Sequence, residues 1–279
     1  MTILVTGARG QIGRAVISSL HAQGLPVRAA SAKPADLDLP AGVRAVELGD
    51  DPETLSTALE DVKQVFLYAK ADLADAFVTA AQQAGVEHVV LLSSSAVNDP
   101  AATSNPIGAM HLAVEKSLAA SSLTTTVLRP GGFDSNAFGW IKAVAAGEPI
   151  EHAYPEASLA MIHPLDIADI AVAALTGTEL RGRTVSLTGP EAISFRAQIG
   201  HLSEAIGREI PIVQISRDQA EAQLSRTMPP YIVDALLTIW AITSERPETP
   251  ADTTETLLGV PARTFEQWAR ENAAAFTAA

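Results

Sequence analysis

The 279-residue chain has no cysteine, which excludes disulfide bonds, thiolate nucleophiles and cysteine metal sites. Basic residues are also scarce: 19 Lys and Arg stand against 32 Asp and Glu, and the formal net charge is -13. Because a nucleic-acid partner needs a basic face to neutralise its phosphates, this balance excludes DNA or RNA as the ligand. No residues show metal-ligand spacing, so we expect no metal site.

Long hydrophobic runs are missing too, and no apolar stretch reaches the roughly 18 residues that a membrane span requires. The first predicted strand starts at residue 3, so we expect no signal peptide, no membrane partner and a cytoplasmic protein. Aromatic residues make up only 5% of the chain and charged residues 18%, whereas 47% is hydrophobic. That apolar content is enough for one large domain, or for a domain with a small appendage.

The beginning of the chain predicts a strand, a glycine turn and the start of a helix. Residues 3–5 form a short aliphatic run typical of a buried parallel strand, and apolar residues then recur at helical spacing. Glycines between them permit positive φ angles and leave room for a pyrophosphate on the free N–H groups of the helix N-terminus. These glycines are Gly7, Gly10 and Gly13. Their first interval is one residue longer than in the usual Gly-x-Gly-x-x-Gly dinucleotide fingerprint. The alternative is a tight turn that binds nothing.

The end of the second predicted strand, Val27–Ala30, indicates which dinucleotide is bound. An acidic residue about 20 positions past the glycines binds the ribose 2′-hydroxyl of NAD, whereas a basic residue accommodates the 2′-phosphate of NADP. This chain has Ser31 and Lys33 there, and no Asp or Glu before Asp36. Together with Arg9 of the glycine loop they favour NADP(H) over NAD(H). The alternative is that both cations are solvated surface charges.

Strands alternate with helices of about a dozen residues through the first half of the chain, which predicts an α/β fold with a doubly wound parallel sheet. Ligands bind outside the carboxyl ends of such strands, so residues there and in the glycine loop are candidate cofactor contacts. Besides those already named, the candidates are Thr6, Gln11, Ile12, Asp50, Tyr68, Ala69, Lys70, Ser93 and Ser94. Asp50 contacts the adenine on this interpretation, or only caps the next helix. Beyond residue 135 the pattern changes to short elements, including a predicted strand over 158–162.

The segments TGARGQIG, SSSAV, LRPGGF, HPLDIADIAVAAL, LTGPEAISF and GVPARTFEQWARENAAAF occur in this order. Together they resemble the NmrA-like group of atypical short-chain dehydrogenases, over nearly the whole chain. The resemblance implies a Rossmann domain for the cofactor, formed by 1–135 with a return of about 160–190. It also implies a smaller, mostly helical C-terminal substrate subdomain, 136–159 and 191–279, which closes a cleft over the nicotinamide.

The same resemblance implies roles for residues near the nicotinamide. Pro130 and Gly131 match positions whose backbone lies beside the nicotinamide, and glycine permits that approach. Ser95 best fits the serine that hydrogen-bonds the substrate oxygen in short-chain dehydrogenases. The alternative is that the hydroxyls of this serine run satisfy loop backbone groups or the nicotinamide ribose.

The acid–base pair of ordinary short-chain dehydrogenases, Tyr-x-x-x-Lys, is absent: none of the three tyrosines has a lysine four residues later. The chain carries His111-Leu-Ala-Val-Glu115 instead. Imidazole titrates near neutrality, and Glu115 lies one helical turn on, where it can orient or charge the ring. His111 is therefore the candidate proton-transfer residue. The alternative is a structural helix pair.

These features favour an NADP(H)-dependent oxidoreductase that passes hydride to a quinone-like or other conjugated small molecule. The alternative is a non-catalytic NADP(H)-binding redox sensor, in which cofactor occupancy alters contacts with a protein partner. An isomerase or epimerase that recycles its cofactor is a third hypothesis, less favoured because that chemistry needs an acid–base pair. No feature of the sequence predicts an oligomeric state.

Overall fold

The structure is a computed structural model that describes residues 2–49, 51–100 and 102–277. Asp50, a candidate adenine contact, lies outside the described residues. The chain forms two compact units. Unit one consists of Met1–Pro130 and Pro164–Leu187, and unit two consists of Gly131–His163 and Thr188–Ala279.

Strands and helices alternate through the first part of the chain, and short strands among helices make up the rest. The first part contains β1 (Thr2–Val5), α1 (Gln11–Ala22), β2 (Val27–Ser31), β3 (Arg44–Glu47), α2 (Pro52–Leu59), β4 (Val62–Tyr68), α3 (Ala74–Gln83), β5 (His88–Leu92), α4 (Pro106–Ala119) and β6 (Thr124–Pro130). The rest contains α5 (Ile141–Ala146), β7 (Ile150–His152), β8 (Ser158–Leu159), α6 (Pro164–Thr176), β9 (Thr184–Leu187), β10 (Ile193–Ser194), α7 (Phe195–Ile206), β11 (Ile212–Gln214), α8 (Arg217–Leu224), α9 (Pro230–Glu245), α10 (Thr254–Leu258) and α11 (Phe265–Thr277). Short 3-10 turns occupy Pro34–Asp36, Ala71–Leu73, Ser95–Asn98 and Asp134–Trp140.

Unit one is built on a seven-stranded sheet in the order β3-β2-β1-β4-β5-β6-β9, with every pairing parallel. The predicted doubly wound parallel sheet is confirmed. All five residues of β2 and of β5 are buried, as expected for strands covered on both faces. Helices α1 and α6 pack on each other, and α3 packs on both α2 and α4. The strand order reverses between β1 and β4, which is where ligands bind in such sheets.

The predicted strand over 158–162 is correct only in its first two residues. β8 ends at Leu159 and pairs antiparallel with β10. The backbone that follows bonds elsewhere: the carbonyl of Ala160 accepts from Gly189, and Ile162 donates to Gly132. Apolar spacing alone could not distinguish this buried, irregular segment from a strand.

Unit two has an aromatic core under α7 and α11. Trp268 is fully buried, and its ring lies 5.0 Å from Phe138 and 5.4 Å from Phe265, centroid to centroid.

Among the described residues, no helix is both long and apolar enough to cross a bilayer.

Candidate cofactor and active site

The glycine loop follows β1 and is fastened to the end of β4. Thr6 is buried; its N–H donates to the Phe66 carbonyl at 2.9 Å, and its hydroxyl accepts from the Tyr68 N–H at 2.7 Å. Gly7 has φ +65, a conformation that side chains with a Cβ rarely adopt, and the Gly10 N–H donates back to its carbonyl at 2.9 Å. The loop is therefore a rigid turn that presents exposed backbone at Gly7 and Gly10.

Two further glycine contacts explain why small residues are needed here. A Cβ on Gly13 would lie 2.4 Å from the Gly7 carbonyl oxygen, so the helix can approach the loop only without a side chain at this position. A Cβ on Gly10 would lie 3.3 Å from the same oxygen, which is tight. Gly10 is the N-cap of α1 and offers no side chain to the first helical N–H groups, next to half-buried Gln11 and Ile12. These uncapped donors fit the pyrophosphate of a dinucleotide.

The candidate 2′-phosphate contacts lie at the carboxyl end of β2 and in the glycine loop. Ser31 ends β2, and its hydroxyl accepts from the Lys33 N–H at 3.1 Å, which fixes the turn that follows the strand. Arg9 and Lys33 are exposed, and neither side chain has a partner in the part of the chain that the structure describes. Their cationic groups are therefore available to an anion, and Asp36, the first acidic residue after β2, is exposed in a 3-10 turn.

At the end of β4, Tyr68 is 58% exposed and packs against the glycine loop. Its Cβ lies 3.1 Å from the position that a Cβ on Gly7 would occupy. Ala69 is buried behind it, and Lys70 precedes the Ala71–Leu73 turn. Tyr68 therefore offers an exposed aromatic ring beside the glycine loop.

A hydrogen-bonded network joins the carboxyl ends of β5, β6 and β9 to α4. The Ser93 hydroxyl donates to Glu115 Oε1 at 2.5 Å. Arg129 donates to both carboxylate oxygens of Glu115, from Nε at 3.0 Å and from Nη2 at 2.5 Å. Its Nη1 donates to the Asn98 Oδ1 at 2.7 Å, and the Asn98 amide donates to the Ser186 hydroxyl at 2.9 Å. Sequence reasoning missed Arg129 and Asn98, because Arg129 meets Glu115 only where α4 packs on β6, and Asn98 meets Arg129 from the turn after β5.

His111 lies on the same helix, one turn before Glu115. Asn105 is the N-cap of helix α4, and its side chain accepts from the Ile107 and Gly108 N–H groups. Burial lowers the pKa of His111 and the Glu115 carboxylate opposes that change in part. The His111 Nδ1 is buried without a hydrogen-bond partner, and no hydrogen bond joins the ring to Glu115 within the described residues. The lowered pKa favours the neutral form of the His111 ring.

The remaining candidates lie around this network. The Ser94 hydroxyl accepts from the Ala96 N–H at 3.2 Å and caps the Ser95–Asn98 turn, a local structural role. The Ser95 hydroxyl is half-buried and has no hydrogen-bond partner among residues 2–49, 51–100 and 102–277. Pro130 is the buried last residue of β6, and Gly131 is the first residue of unit two.

Residues 7–178 match the model of a family described as NAD(P)H-binding. The chain is 36% identical to a (4-alkanoyl-5-oxo-2,5-dihydrofuran-3-yl)methyl phosphate reductase of Streptomyces griseus, over 98% of this chain and 99% of the relative. It is 32% identical to an NAD(P)H azoreductase of Xenophilus azovorans, over 99% of this chain and 100% of that protein. The structure of an Escherichia coli NADPH-dependent quinone oxidoreductase complexed with NADPH matches with a TM-score of 0.79 and 23% identity, covering 96% of this chain and 99% of that chain. At that identity the structural match shows a shared fold.

Proposed function

The chain belongs to the NAD(P)H-binding family, in the NmrA-like group of atypical short-chain dehydrogenases/reductases, and from that membership we propose that it is an NADP(H)-dependent oxidoreductase reducing a quinone-like or other conjugated small molecule. The two relatives that match over almost the whole chain support this proposal. One is named for an azo substrate, and the other for the methyl phosphate of a 5-oxo-2,5-dihydrofuran that carries an alkanoyl group. Both names describe acceptors with a conjugated, electron-poor double bond.

The observation that carries the proposal is the network around Glu115. On this proposal the role of the tyrosine–lysine pair falls to His111, whose pKa is lowered by burial, beside a carboxylate already paired with Arg129 and Ser93. When bound, the reduced nicotinamide supplies a hydride, which is a proton with two electrons. A site without a strong proton donor suits acceptors that hold the resulting negative charge on their own oxygen or nitrogen and take a proton from water. Quinones, azo compounds and conjugated enones do so.

The residues of the glycine loop fit the cofactor that this reaction needs. Exposed Gly7 and Gly10 form a surface that a side chain would fill, and the uncapped N-terminus of α1 offers donors to a pyrophosphate. Preference for NADP(H) over NAD(H) belongs to the proposal: Arg9 of the glycine loop and Lys33 after β2 are exposed cations, and each is free to bind a 2′-phosphate.

Calorimetric titration with NADPH, NADP, NADH and NAD, followed by turnover on a small acceptor panel, tests both parts. We expect NADPH to bind at least tenfold more tightly than NADH, and an electron-poor acceptor to accelerate cofactor oxidation. Equal affinities would remove the 2′-phosphate site from the proposal.

The competing function is a redox sensor that binds NADP(H) without chemistry and alters contacts with a protein partner. It is favoured by the same absence of a Tyr-x-x-x-Lys pair. Tight cofactor binding with no turnover, together with a partner captured in only one redox state of the cofactor, would support it. Brisk turnover would exclude it.

A further inference from the structure

Helices α7 and α11 of unit two bring an imidazole and two carboxylates together. His201 and Glu204 lie one helical turn apart on α7, and Glu266 lies in the first turn of α11. One ligand atom from each of these side chains lies within 4.8 Å of the other two. The spacing of residues in the sequence predicts no metal site, because the third group comes from another helix.

The hydrophobic core of unit two fixes the distance between these two helices. α7 packs on α11, and Leu202 and Phe265 are buried in one apolar cluster. Each is the chain neighbour of one of the three groups, since Leu202 follows His201 and Phe265 precedes Glu266. The backbone positions of the three groups are therefore set by packed helices.

The three groups retain free capacity to bind a ligand. The His201 Nδ1 is buried without a hydrogen-bond partner among the described residues. Glu204 is exposed, and within the described ranges its carboxylate forms no hydrogen bond or ion pair. Glu266 pairs with Arg270 one turn further along α11, through a single carboxylate oxygen. A buried nitrogen without a partner is costly, and a bound ligand at this cluster supplies a reason for an imidazole here.

We propose that His201, Glu204 and Glu266 form a binding site for a divalent cation of the Zn²⁺ class, which bridges α7 and α11. Imidazole nitrogen and carboxylate oxygen are ligands of such ions, whereas Mg²⁺ and Ca²⁺ take oxygen ligands. The two carboxylates match the charge of the ion. Donor atoms around a four-coordinate Zn²⁺ lie about 3.4 Å apart, a spacing that the exposed Glu204 side chain reaches by turning inward about 1 Å. Water completes the coordination.

Calorimetric titration of the chelator-treated full chain with ZnCl₂ tests the site. We expect saturable binding of one ion per chain, and His201→Gln, Glu204→Gln and Glu266→Gln should each weaken it at least about tenfold. The matched controls are exposed residues on other helices, His21→Gln on α1 and Glu221→Gln on α8, which should keep the wild-type affinity. No saturable binding, or equal affinity in all five variants, would overturn the proposal.

Thermal unfolding tests whether the ion bridges the two helices. Zn²⁺ at about 100 times its Kd should raise the melting temperature by about 4 °C. At the same Zn²⁺ concentration the rise in Glu204→Gln should be about half of that or less, and this variant changes only an exposed side chain, so it is expected to fold. A rise as large as that of the wild type would place the ion elsewhere. MgCl₂ should give no comparable rise, and an equal effect of Mg²⁺ would exclude the imidazole as a ligand.

Arg270→Met separates coordination by Glu266 from its ion pair. Arg270 is exposed, and its loss frees both oxygens of Glu266. This variant should therefore bind Zn²⁺ at least as tightly as the wild type, and weaker binding would contradict Glu266 as a ligand. All of these measurements are made without cofactor or acceptor, so their outcome is independent of the proposed oxidoreductase activity.

Discussion

Replacing Gly13 with alanine tests the glycine loop most sharply, because there is no room for the alanine methyl group. The new Cβ would lie 2.4 Å from the Gly7 carbonyl oxygen and 2.8 Å from the carbonyl carbon. Real Cβ contacts are not under 3.0 Å, so the loop must open by about 0.6 Å. Alanine gains about 1 kcal/mol of helix propensity, whereas overpacking costs about 1–3 kcal/mol. The net loss of stability is therefore about 0–2 kcal/mol.

Cofactor affinity should fall by more than stability does. The opening displaces the exposed backbone of Gly7, on which the pyrophosphate is expected to lie, and we expect the Kd for NADPH to rise at least tenfold, or about 1.4 kcal/mol. Calorimetric titration measures the affinity, and thermal unfolding measures the stability. Wild-type affinity in a folded Gly13→Ala protein would refute the account of the loop.

Two further alanine variants separate affinity from stability: Gly10→Ala is a second test of the loop and Gly24→Ala is the control. In Gly10→Ala the Cβ makes a tight contact, 3.3 Å from the Gly7 carbonyl oxygen, and occupies the exposed surface beside the α1 N-terminus, so affinity should fall by more than stability does. Gly24→Ala lies in the turn after α1, with φ +72 and nothing within 4 Å of the Cβ. It should cost about 1 kcal/mol of stability and leave the Kd for NADPH unchanged.

Three more predictions follow from particular side chains. Arg9→Ala and Lys33→Ala should each weaken NADPH binding about tenfold and leave NADH binding unchanged, whereas the exposed Arg14→Ala should change neither; equal losses for both cofactors would remove the phosphate contact. Burial lowers the pKa of His88 from 6.5 to about 4. As pH falls, the unfolded chain is therefore protonated at this histidine before the folded protein is. Up to about 3 kcal/mol of the free energy of unfolding is lost between pH 6.5 and about pH 4. In urea titrations, the free energy of unfolding of His88→Gln should fall less steeply below pH 6.5 than that of the wild type, and an equal fall would contradict this. Arg28→Met should lower the free energy of unfolding by about 2–4 kcal/mol, because the guanidinium donates to three carbonyls at the C-terminal end of α2; a loss under about 0.5 kcal/mol would contradict that role.

The sequence was informative where the signal is local. The predicted strands over residues 3–5 and Val27–Ala30 agree with β1 and β2 to within one residue, since each signal depends on neighbours in the chain. Gly7 and Gly10 were predicted to lie in the turn between a strand and a helix, and they lie between β1 and α1. The clash that excludes a side chain at Gly13 is a contact between a helix and the turn before it, and spacing only hinted at it.

What the sequence could not supply is the pairing of side chains across strands. Glu115 was interpreted as the partner of His111 because the two are one helical turn apart. In the structure Glu115 binds Arg129, which lies on β6, and Ser93, which follows β5. The packing of α4 on β6 creates the pair of Glu115 with Arg129, and such packing is a long-range property that no motif encodes.

Acceptor-dependent oxidation of NADPH by the purified protein, followed through the near-ultraviolet absorbance of the reduced nicotinamide, tests the central claim most directly. We expect a quinone, an azo dye or a conjugated enone to accelerate the loss of NADPH, and the loss to be slower in Gly13→Ala. Protein that binds NADPH but shows no acceptor-dependent oxidation across all three classes would contradict the oxidoreductase and favour the redox sensor.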